Sequence, residues 1–514
     1  MSETMHTNPV TVQAEVRNGL LSDHHLILAS NRGPFEFLTT PSGVQRKRGA
    51  GGVVTAVSSV GKIASPTWVA AAMSTGDREE AARHGGRSIE VEEQDVVYRL
   101  RFVDLPEKVY DGYYNVIANP LLWFLQHYMW DTPREPKIGV GEWRAWHEGY
   151  VPANLEFASV IHDEIERSEK PSIVMIQDYH LYLVSGALRK LCPDVLIQFF
   201  LHIPFPGSDY LRVLPMEMRQ EIVSSLLACD IIGFQTNRSA INFLRAAGSF
   251  ISGVRVDYDL GVVEYKDHLT MVRRYPISID PKGVRERAYS EQAERELAYL
   301  EPYFGERNIL RVDRIEPSKN ILRGFEAYSL MLDNHPGLHG KVKFLAILVP
   351  SRSSIPEYER YQDEVMTAIA RINLRYGADY WRPVEALIGD NYVRALAAMR
   401  KYDVLLVNPL IDGMNLVAKE GVVVNERHGA LVLSDGAGAF EQFAQSTPLP
   451  NYVSAADILG TSEALYNALQ MPAPERAELS SRLREVVETE DVAHWFHTQL
   501  KDLQQLCEER DDDY

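Results

Sequence analysis

The chain has 514 residues, of which 45% are hydrophobic and 24% charged, and its formal net charge is −18. This length exceeds a single hydrophobic core and is typical of two or three globular domains. Because 53 basic residues stand against 71 acidic ones, the composition argues against a nucleic-acid-binding surface, although a local basic pocket for a phosphorylated substrate is compatible with it.

The cysteines and the apolar runs bear on the cellular compartment. Cys192, Cys229 and Cys507 are far apart and lack metal-ligand spacing, which favours a reduced cytosol. No apolar run approaches the length of a membrane span, and the first residues are polar rather than signal-like. We therefore expect a cytoplasmic protein without nucleic-acid or membrane partners.

The first half of the chain alternates predicted strands and helices. Residues 1–24 are polar and unpatterned and predict a loose tail, and His25–Asn31 is the first predicted strand. Residues 32–47 are expected to form a loop, and the glycine-rich turn Arg48–Gly52 precedes a helix-like run over 53–63. Further strands are predicted at 67–73, 172–176, 195–201 and 231–235, hairpins at 88–105 and 254–272, and helices at 143–166, 181–191, 211–228 and 237–247.

A second alternating series follows Tyr275–Pro281, whose two prolines make it the candidate hinge. Its predicted strands are 309–312, 342–348, 404–407 and 430–433, and its predicted helices begin at Lys319 and after Pro356 and span 455–470, 473–488 and 492–508. Strands that alternate with helices predict doubly wound parallel sheets.

The predicted fold is therefore α/β, with two Rossmann-like domains facing a central cleft. The first domain spans 25–275 and the second 276–490, and a C-terminal helix within 491–514 is expected to cross back to the first and end in an acidic tail. Unusual loop residues follow the predicted strands at their carboxyl ends, where ligands bind in such sheets. They are Asn31, Arg32, Asp178, His202, Arg314, Arg352 and Asp412.

The stretch Tyr402–Glu420 predicts a ligand site by its chemistry. A buried strand, a sharp turn and a helix N-terminus direct free backbone N–H groups at one spot, which favours an anion. Asp412 and Glu420 flank that spot, and carboxylates accept hydrogen bonds from hydroxyls. The pattern therefore indicates a diphosphate between two sugars, and its alternative is an ordinary strand-to-helix connection.

Other polar residues extend this hypothesis. Gly51 and Gly52 permit close backbone approach, although such a turn is by itself weak evidence. Arg314 and Lys319 can neutralise a diphosphate leaving group, or form a solvated basic pair. A second phosphate clamp is predicted from Arg32, Tyr114 and Arg352, with Trp123 stacking on a sugar or lying in the core.

Several motifs together resemble glycosyltransferase family 20, the trehalose-6-phosphate synthases. They are SNR after the first strand, GAGG, GYYN…LLW, QDYHL, FFLHIPFP and DGMNLVAKE, in the family's order over about 25–500. The resemblance implies a GT-B fold and transfer of glucose from a nucleotide sugar to glucose 6-phosphate with retention. It implies no metal or other cofactor, because the nucleotide sugar is a co-substrate, and it is compatible with a homo-oligomer, either a dimer or a tetramer.

The resemblance also implies roles at the matching positions. Arg314 and Lys319 would hold the donor phosphates, Glu420 the ribose, and His202 the donor sugar. No carboxylate nucleophile is expected, because the family is thought to react from the front side. The implied donor-binding set is Gly51, Gly52, Asp390, Asp412, Gly413, Met414, Asn415, Leu416, Val417 and Glu420, and the acceptor-binding set is Arg32, Tyr114, Trp123, Asp178, Tyr179 and Arg352; Asp178 and His202 join Arg314 and Lys319 as catalytic candidates.

One departure from the family pattern bears on the nucleobase. The usual R-[LIV]-D-Y-[ST]-K-G reads Arg314-Ile-Glu-Pro-Ser-Lys319-Asn here, which resembles a branch using GDP-linked donors, including validoxylamine phosphate synthase. Asp390 lies near the expected base position, and its carboxylate can accept both donors of a guanine edge, or simply cap the next helix. GDP-glucose is therefore favoured over UDP-glucose.

The open alternatives are a pseudo-glycosyltransferase joining a nucleotide-linked cyclitol to a phosphorylated aminocyclitol, and an inactive regulatory homologue. The first would need a changed sugar site, whereas DGMNLVAKE and GAGG are intact; the second should have lost charged residues that are present here. A dehydrogenase is disfavoured, because no G-x-G-x-x-G follows the first strand.

Overall fold

A computed structural model describes residues 19–40, 43–48, 66–93, 96–352 and 355–512. The chain divides into two compact units, Met1–Tyr275 with Ala493–Tyr514, and Pro276–Val492. Within the described residues, no helix is long and apolar enough to cross a membrane.

The first unit is built on a mostly parallel sheet. Among its described residues ten strands pair in the order β10-β11-β12-β9-β8-β7-β1-β4-β6-β5, and β2 pairs with β3 in a separate hairpin. The strands are β1 (His25–Ser30), β2 (Phe35–Thr40), β3 (Gly43–Arg48), β4 (Thr67–Ala71), β5 (Ile89–Glu93), β6 (Val96–Val103), β7 (Ser172–Gln177), β8 (Leu196–Leu201), β9 (Ile231–Phe234), β10 (Arg255–Asp257), β11 (Val262–Tyr265) and β12 (His268–Arg274).

The central strands of this sheet are buried on both faces. Every residue of β7 and of β8 is buried, which matches their almost continuous apolar sequences, and β1, β7, β8 and β9 run parallel. The helical segments of this unit are Leu20–Asp23, Thr75–Arg83, Glu107–Tyr110, Asp111–Leu122, Trp123–Gln126, Val140–Ala145, Trp146–Tyr150, Val151–Glu166, Tyr179–Leu181, Val184–Leu191, Ser208–Leu211, Met216–Leu226, Asn237–Phe250 and most of Val492–Asp512.

The second unit has a wholly parallel sheet. Its six described strands pair in the order β15-β14-β13-β16-β17-β18, with bounds β13 (Arg307–Arg314), β14 (Val342–Val349), β15 (Val384–Ile388), β16 (Val404–Val407), β17 (Ala430–Ser434) and β18 (Tyr452–Val453). Its helical segments are Pro281–Ala288, Glu291–Leu300, Glu301–Tyr303, Pro317–Lys319, Ile321–Asn334, Pro336–Leu338, Pro356–Tyr376, Tyr392–Met399, Leu416–Val424, Gly438–Ser446, Ile458–Gln470 and Ala473–Thr489.

One core of this unit lies between the sheet and the helices Ile321–Asn334, Pro356–Tyr376 and Ile458–Gln470. Phe325 and Tyr328 pack edge-on against Phe344 there, with ring centroids 5.1 and 5.3 Å apart. This core fixes β13 and β14, and therefore the loops that leave their carboxyl ends.

Several predicted boundaries were wrong. The predicted loop 32–47 contains the β2–β3 hairpin, because Phe35 and Phe37 alternate with polar residues and supply one apolar face. The predicted tail ends in the helix Leu20–Asp23 with Leu20 buried, and the helix predicted from 211 begins only at Met216. The predicted 254–272 hairpin is three strands, because β11 pairs antiparallel with both β10 and β12, and β12 also joins the sheet by pairing in parallel with β9. Residues 53–63 lie outside the described residues.

Asp230 joins the C-terminal helix Val492–Asp512 to the first sheet. Its carboxylate accepts from the Ile197 amide at 2.7 Å, from Arg189 Nη2 at 2.8 Å and from Arg510 Nη2 at 2.6 Å. The side chain of Asp230 is 4% exposed, so these three donors replace the water that burial removes.

Replacing Asp230 with Ala should therefore destabilise the first unit by about 3–5 kcal/mol, because two guanidinium groups lose their shared partner. Urea unfolding of the full chain measures this loss, with the exposed Asp259→Ala as the control. Equal midpoints for the two variants would contradict the assignment.

Candidate active site

Four charged residues predicted to belong to the site lie along one edge of the second unit's sheet. β13 itself ends at Arg314, and the loops after β14, β15 and β16 carry Arg352, Asp390 and Asp412. These four strands are parallel neighbours, so their carboxyl ends meet at the same edge. The sheet thus brings the predicted donor-side residues Arg314, Asp390 and Asp412 to the same edge as Arg352, which was predicted to bind the acceptor.

Lys319 and Asp412 form the tightest charge pair of this edge. Lys319 Nζ bonds Asp412 Oδ2, and the two side chains are 13% and 15% exposed. Asn415 Nδ2 donates to the same oxygen at 3.1 Å. The carboxylate thereby fixes a cation near the start of the helix Leu416–Val424, where the dipole favours a further anion.

The turn before that helix has the backbone that the sequence predicted. Asn415 is left-handed, with φ +69°, and its side chain does not cap the helix that begins at Leu416. Gly438 lies so close that a Cβ there would come within 1.9 Å of the Gly413 carbonyl oxygen. Gly413 and Met414 are buried, whereas Leu416 and Val417 are half-buried in the first helical turn.

Arg314 and Arg352 converge on Glu316. Glu316 Oε1 lies 2.8 Å from Arg314 Nη1 and 3.3 Å from Arg352 Nη1, and it accepts from Ser351 Oγ at 2.9 Å. Burial alone would raise the pKa of Glu316, but Arg314, Arg352 and Lys319 outweigh it and hold that pKa at about 2. From the sequence, Glu316 was predicted only as a departure from the family pattern, although a carboxylate two residues after a strand-end Arg was the available signal.

A second buried pair lies behind Lys319. Arg311 is fully buried, its Nη1 is 3.5 Å from Asp313 Oδ2, and it donates to the Lys319 carbonyl oxygen at 3.1 Å. Burial raises the pKa of Asp313 to about 6, and Arg311 and Lys319 oppose that rise. This pair anchors the backbone of Lys319 rather than its ammonium group.

Asn320 accounts for the second departure from the family pattern. Its φ is +57°, a left-handed conformation that Asn tolerates better than most residues, so it can stand where the family has Gly. Its Nδ2 donates to the carbonyl oxygens of Asn408 and Ala455 at 3.0 and 2.7 Å. The helix predicted from Lys319 consequently begins at Ile321.

Glu420 accepts a hydrogen bond from a tyrosine that sequence analysis did not single out. Tyr392 Oη donates to Glu420 Oε1 at 2.8 Å. Burial raises the pKa of Glu420 to about 7, although this hydrogen bond and the charge of Arg287 oppose the rise. Near neutral pH, Glu420 is therefore balanced between its protonated and ionised forms.

Asp390 does not cap the helix that follows it. Asn391 is the cap of Tyr392–Met399, because its side chain accepts from the Arg394 amide at 3.0 Å. The capping alternative for Asp390 was therefore wrong. The Asp390 side chain is exposed and makes no hydrogen bond or ion pair with other described residues.

In the first unit, Asp178 and His202 directly follow the adjacent strands β7 and β8. Asp178 has φ +74°, a strained conformation for a residue with a side chain, and its Oδ1 accepts from the His202 amide at 3.4 Å. Burial lowers the pKa of His202 to about 3, so its ring is neutral, and Nε2 lies 2.9 Å from Gln177 Oε1. Since that oxygen can only accept, Nε2 carries the proton.

The predicted acceptor residues of the first unit differ in exposure. Arg32 is exposed after β1, and Tyr114 stacks between Tyr110 and His180, with centroids 5.4 and 5.7 Å away. Trp123 is only 6% exposed and stacks on His127, and Tyr179 is 1% exposed.

Burial of Trp123 fits the core alternative better than a sugar-stacking role. Arg352 belongs to the second unit, so its joint clamp with Arg32 and Tyr114 stays a prediction. Gly51 and Gly52 lie outside the described residues.

Comparison with known proteins identifies the family. The family model for glycosyltransferase family 20 matches residues 24–505. The chain belongs to glycosyltransferase family 20. The family predicted from the motifs is thus confirmed, as are the GT-B fold and the glycosyltransferase class.

Three relatives show the extent of this similarity. The chain is 31% identical, over 95% of its length, to the UDP-forming alpha,alpha-trehalose-phosphate synthase A of Dictyostelium discoideum, but spans only 63% of that protein. An Escherichia coli structure bound with UDP-2-fluoro glucose is 28% identical, with a TM-score of 0.78 and coverage of 94% and 99% of the two chains. A UDP-forming synthase of Burkholderia xenovorans in complex with glucose-6-phosphate is 27% identical, with a TM-score of 0.77 and coverage of 93% and 100%.

The Arg314 and Lys319 assignments predict large effects on turnover. Arg314→Ala or Lys319→Ala should lower kcat by about 10²–10³, because charge developing on a leaving diphosphate loses a preorganised cation. Lys282→Ala, at a side chain that is 87% exposed, is the control for loss of a lysine in the same unit. Near wild-type kcat in either variant at saturating donor would show the assignment to be wrong.

Glu420 predicts a pH dependence of stability. Because its pKa rises from 4.5 to about 7 on folding, its favourable contribution is complete below the unfolded pKa and is lost as pH rises through about 7. Wild type should thus lose stability relative to Glu420→Gln between about pH 5 and 8 in urea unfolding. The exposed Glu475→Gln is the control, and parallel pH curves for all three proteins would contradict the prediction.

Proposed function

We propose that this chain transfers glucose from a nucleotide-glucose donor to glucose 6-phosphate and forms trehalose 6-phosphate. The observation that carries the proposal is the strand-end cation pair of Arg314 and Lys319, beside Asp412, on a chain of family 20. The names of the Dictyostelium and Burkholderia relatives support the same reaction.

The proposed chemistry assigns each group a part. The bond between the glucose anomeric carbon and the diphosphate oxygen breaks, and a bond from that carbon to the acceptor anomeric oxygen forms on the same face. The acceptor proton passes to the leaving phosphate, so no protein base is needed. Arg314 and Lys319 stabilise the departing charge, Asp412 and the N–H groups of Asn415 and Leu416 bind glucose hydroxyls, and Glu420 accepts from the ribose.

On the acceptor side, Arg32, Tyr114 and Arg352 are proposed to select the phosphorylated sugar. Guanidinium groups present paired N–H donors that match phosphate oxygens. The Burkholderia relative in complex with glucose-6-phosphate supports this acceptor. His202 is neutral, and we propose that it binds a donor-sugar hydroxyl rather than a charged group.

We also propose that the base of the donor nucleotide is guanine. Asp390 is exposed, follows β15, and has no described side-chain partner, so its carboxylate can accept two parallel hydrogen bonds from a guanine edge. Uracil presents carbonyl lone pairs on both sides of its single N–H. The UDP-forming names of relatives favour the alternative, UDP-glucose.

A matrix of donors and acceptors tests the reaction. Glucose 6-phosphate should exceed free glucose as acceptor by at least about 10²-fold in kcat/KM, because the proposed clamp of Arg32, Tyr114 and Arg352 is otherwise left without its anion. Product analysis for trehalose 6-phosphate and nucleoside diphosphate measures this. Equal rates with the two acceptors would exclude the clamp, and no product with either nucleotide-glucose would exclude the function.

The same assay tests the base. GDP-glucose should exceed UDP-glucose in kcat/KM, and Asp390→Ala should shrink that ratio, whereas the exposed Asp379→Ala should leave it unchanged. A wild type that prefers UDP-glucose would refute the donor proposal, and an unchanged ratio in Asp390→Ala would refute the role of this residue alone.

A further inference from the structure

Glu316 contacts both Arg314 and Arg352 through a single oxygen atom. Its side chain is 0% exposed, and the Nη1 atoms of Arg314 and Arg352 both meet Oε1, together with the Ser351 hydroxyl. The second oxygen, Oε2, is buried and has no hydrogen-bond partner among the described residues. Only Oε1 of the carboxylate therefore contacts the two arginines.

Burying the charged carboxylate of Glu316 costs free energy of hydration. A buried carboxylate must recover the hydration it loses, and an oxygen without a donor leaves part of that loss uncompensated. A hydrophobic residue or an amide at this position would cost less if packing alone were needed. The retained charge points to a role that acts through Arg314 and Arg352.

The two arginines differ in how far they remain accessible. The Arg314 side chain is 45% exposed and that of Arg352 is 16% exposed, although both touch the same buried oxygen. A guanidinium group has five N–H donors in a fixed plane, so anchoring Nη1 orients the other donors. Tyr358 Oη accepts from Arg352 Nη1 at 2.8 Å and fixes that guanidinium further.

Glu316 also lowers the positive charge around the two arginines. Of the three cations Arg314, Lys319 and Arg352, Glu316 pairs with the two arginines and Asp412 pairs with Lys319. A neutral residue at 316 would leave the same cations with one fewer counter-charge. Any anion bound there would then meet a more positive but less ordered group of donors.

We propose that Glu316 is a positioning residue, which orients the Arg314 guanidinium for the leaving diphosphate and the Arg352 guanidinium for the acceptor phosphate, and limits how tightly they hold an anion in the ground state. This inference rests on the proposed function for its kinetic part. Catalysis gains only from interactions that are stronger in the transition state than before it. Glu316 would thus lower the affinity of the two arginines for a bound anion and, at the same time, hold their guanidinium groups in a fixed orientation.

The experiment compares Glu316→Gln with wild type in the full chain. Glu316→Gln should bind inorganic pyrophosphate about 3- to 10-fold more tightly by calorimetry, because one negative charge is removed beside the cations. Its kcat should nevertheless fall by about 10- to 100-fold, since the donors lose their orientation, and its donor KM should not rise. A merely structural role would weaken pyrophosphate binding and turnover together.

Two further variants complete the test. Glu316→Asp keeps the charge and should restore pyrophosphate affinity to within about twofold of wild type and kcat to within about tenfold. Glu426→Gln is the matched control, because Glu426 also pairs with two cations of the same unit, Arg400 and Lys401, and should change neither quantity. If Glu316→Gln does not fold, Glu316→Asp alone decides, and values outside those limits overturn the inference.

The outcomes separate this inference from the proposed function. Weaker or unchanged pyrophosphate binding in Glu316→Gln overturns the inference, and so does tighter binding with unchanged kcat. A wild type that binds pyrophosphate but transfers no glucose overturns the proposed function instead, and the pyrophosphate comparison then still reports on the charge balance at Glu316.

Discussion

The candidate site of the second unit depends on the parallel pairing of β15, β14, β13 and β16. The carboxyl ends of parallel strands lie at one edge of a sheet. Residues far apart in sequence therefore meet there, and Asp412 forms an ion pair with Lys319, five residues after Arg314. The strands can hold this edge because their other residues fill an apolar core. The charged loops at the strand ends therefore pack on one side against this apolar core, which excludes water from that side.

Electrostatics at this edge follow from partial burial. Glu316 and Asp412 are 0% and 15% exposed, so little water screens their charges, and each carboxylate both stabilises and orients its cationic partners. Such preorganised charge costs no rearrangement when a phosphate oxygen becomes more negative. Behind it, the Arg311–Asp313 pair fixes the backbone of Lys319.

The departures from the family pattern are structurally coherent. Asn320 takes a left-handed conformation and at the same time bonds two carbonyl oxygens, which a glycine would leave to other donors. Glu316 keeps a carboxylate where the pattern has one, next to a proline that starts the short turn Pro317–Lys319. The substitutions therefore preserve the cations of the segment while changing what surrounds them.

Sequence by itself determined the family, the fold class and three of the four strands that carry the site, β13, β14 and β16. The apolar runs of β7, β8 and β16 and the motifs FFLHIPFP and DGMNLVAKE are local signals, since burial on both faces and tight turns restrict which residues each position accepts. The hairpin at Phe35–Arg48 was missed because only alternate residues of β2 are apolar and β3 is largely polar, so the signal is weak.

Tertiary structure alone decided the partners of each charged group. Glu316 meets Arg352 across 36 residues, and Tyr392 meets Glu420 across 28, distances over which no periodicity predicts a contact. It also decided which residue caps a helix, because the side-chain oxygen of Asn391 accepts from the Arg394 amide in the first helical turn. The strength of a charge interaction depends on the distance between the groups and on their burial. Both are set only when the sheet brings its strands together, so a sequence pattern cannot predict them.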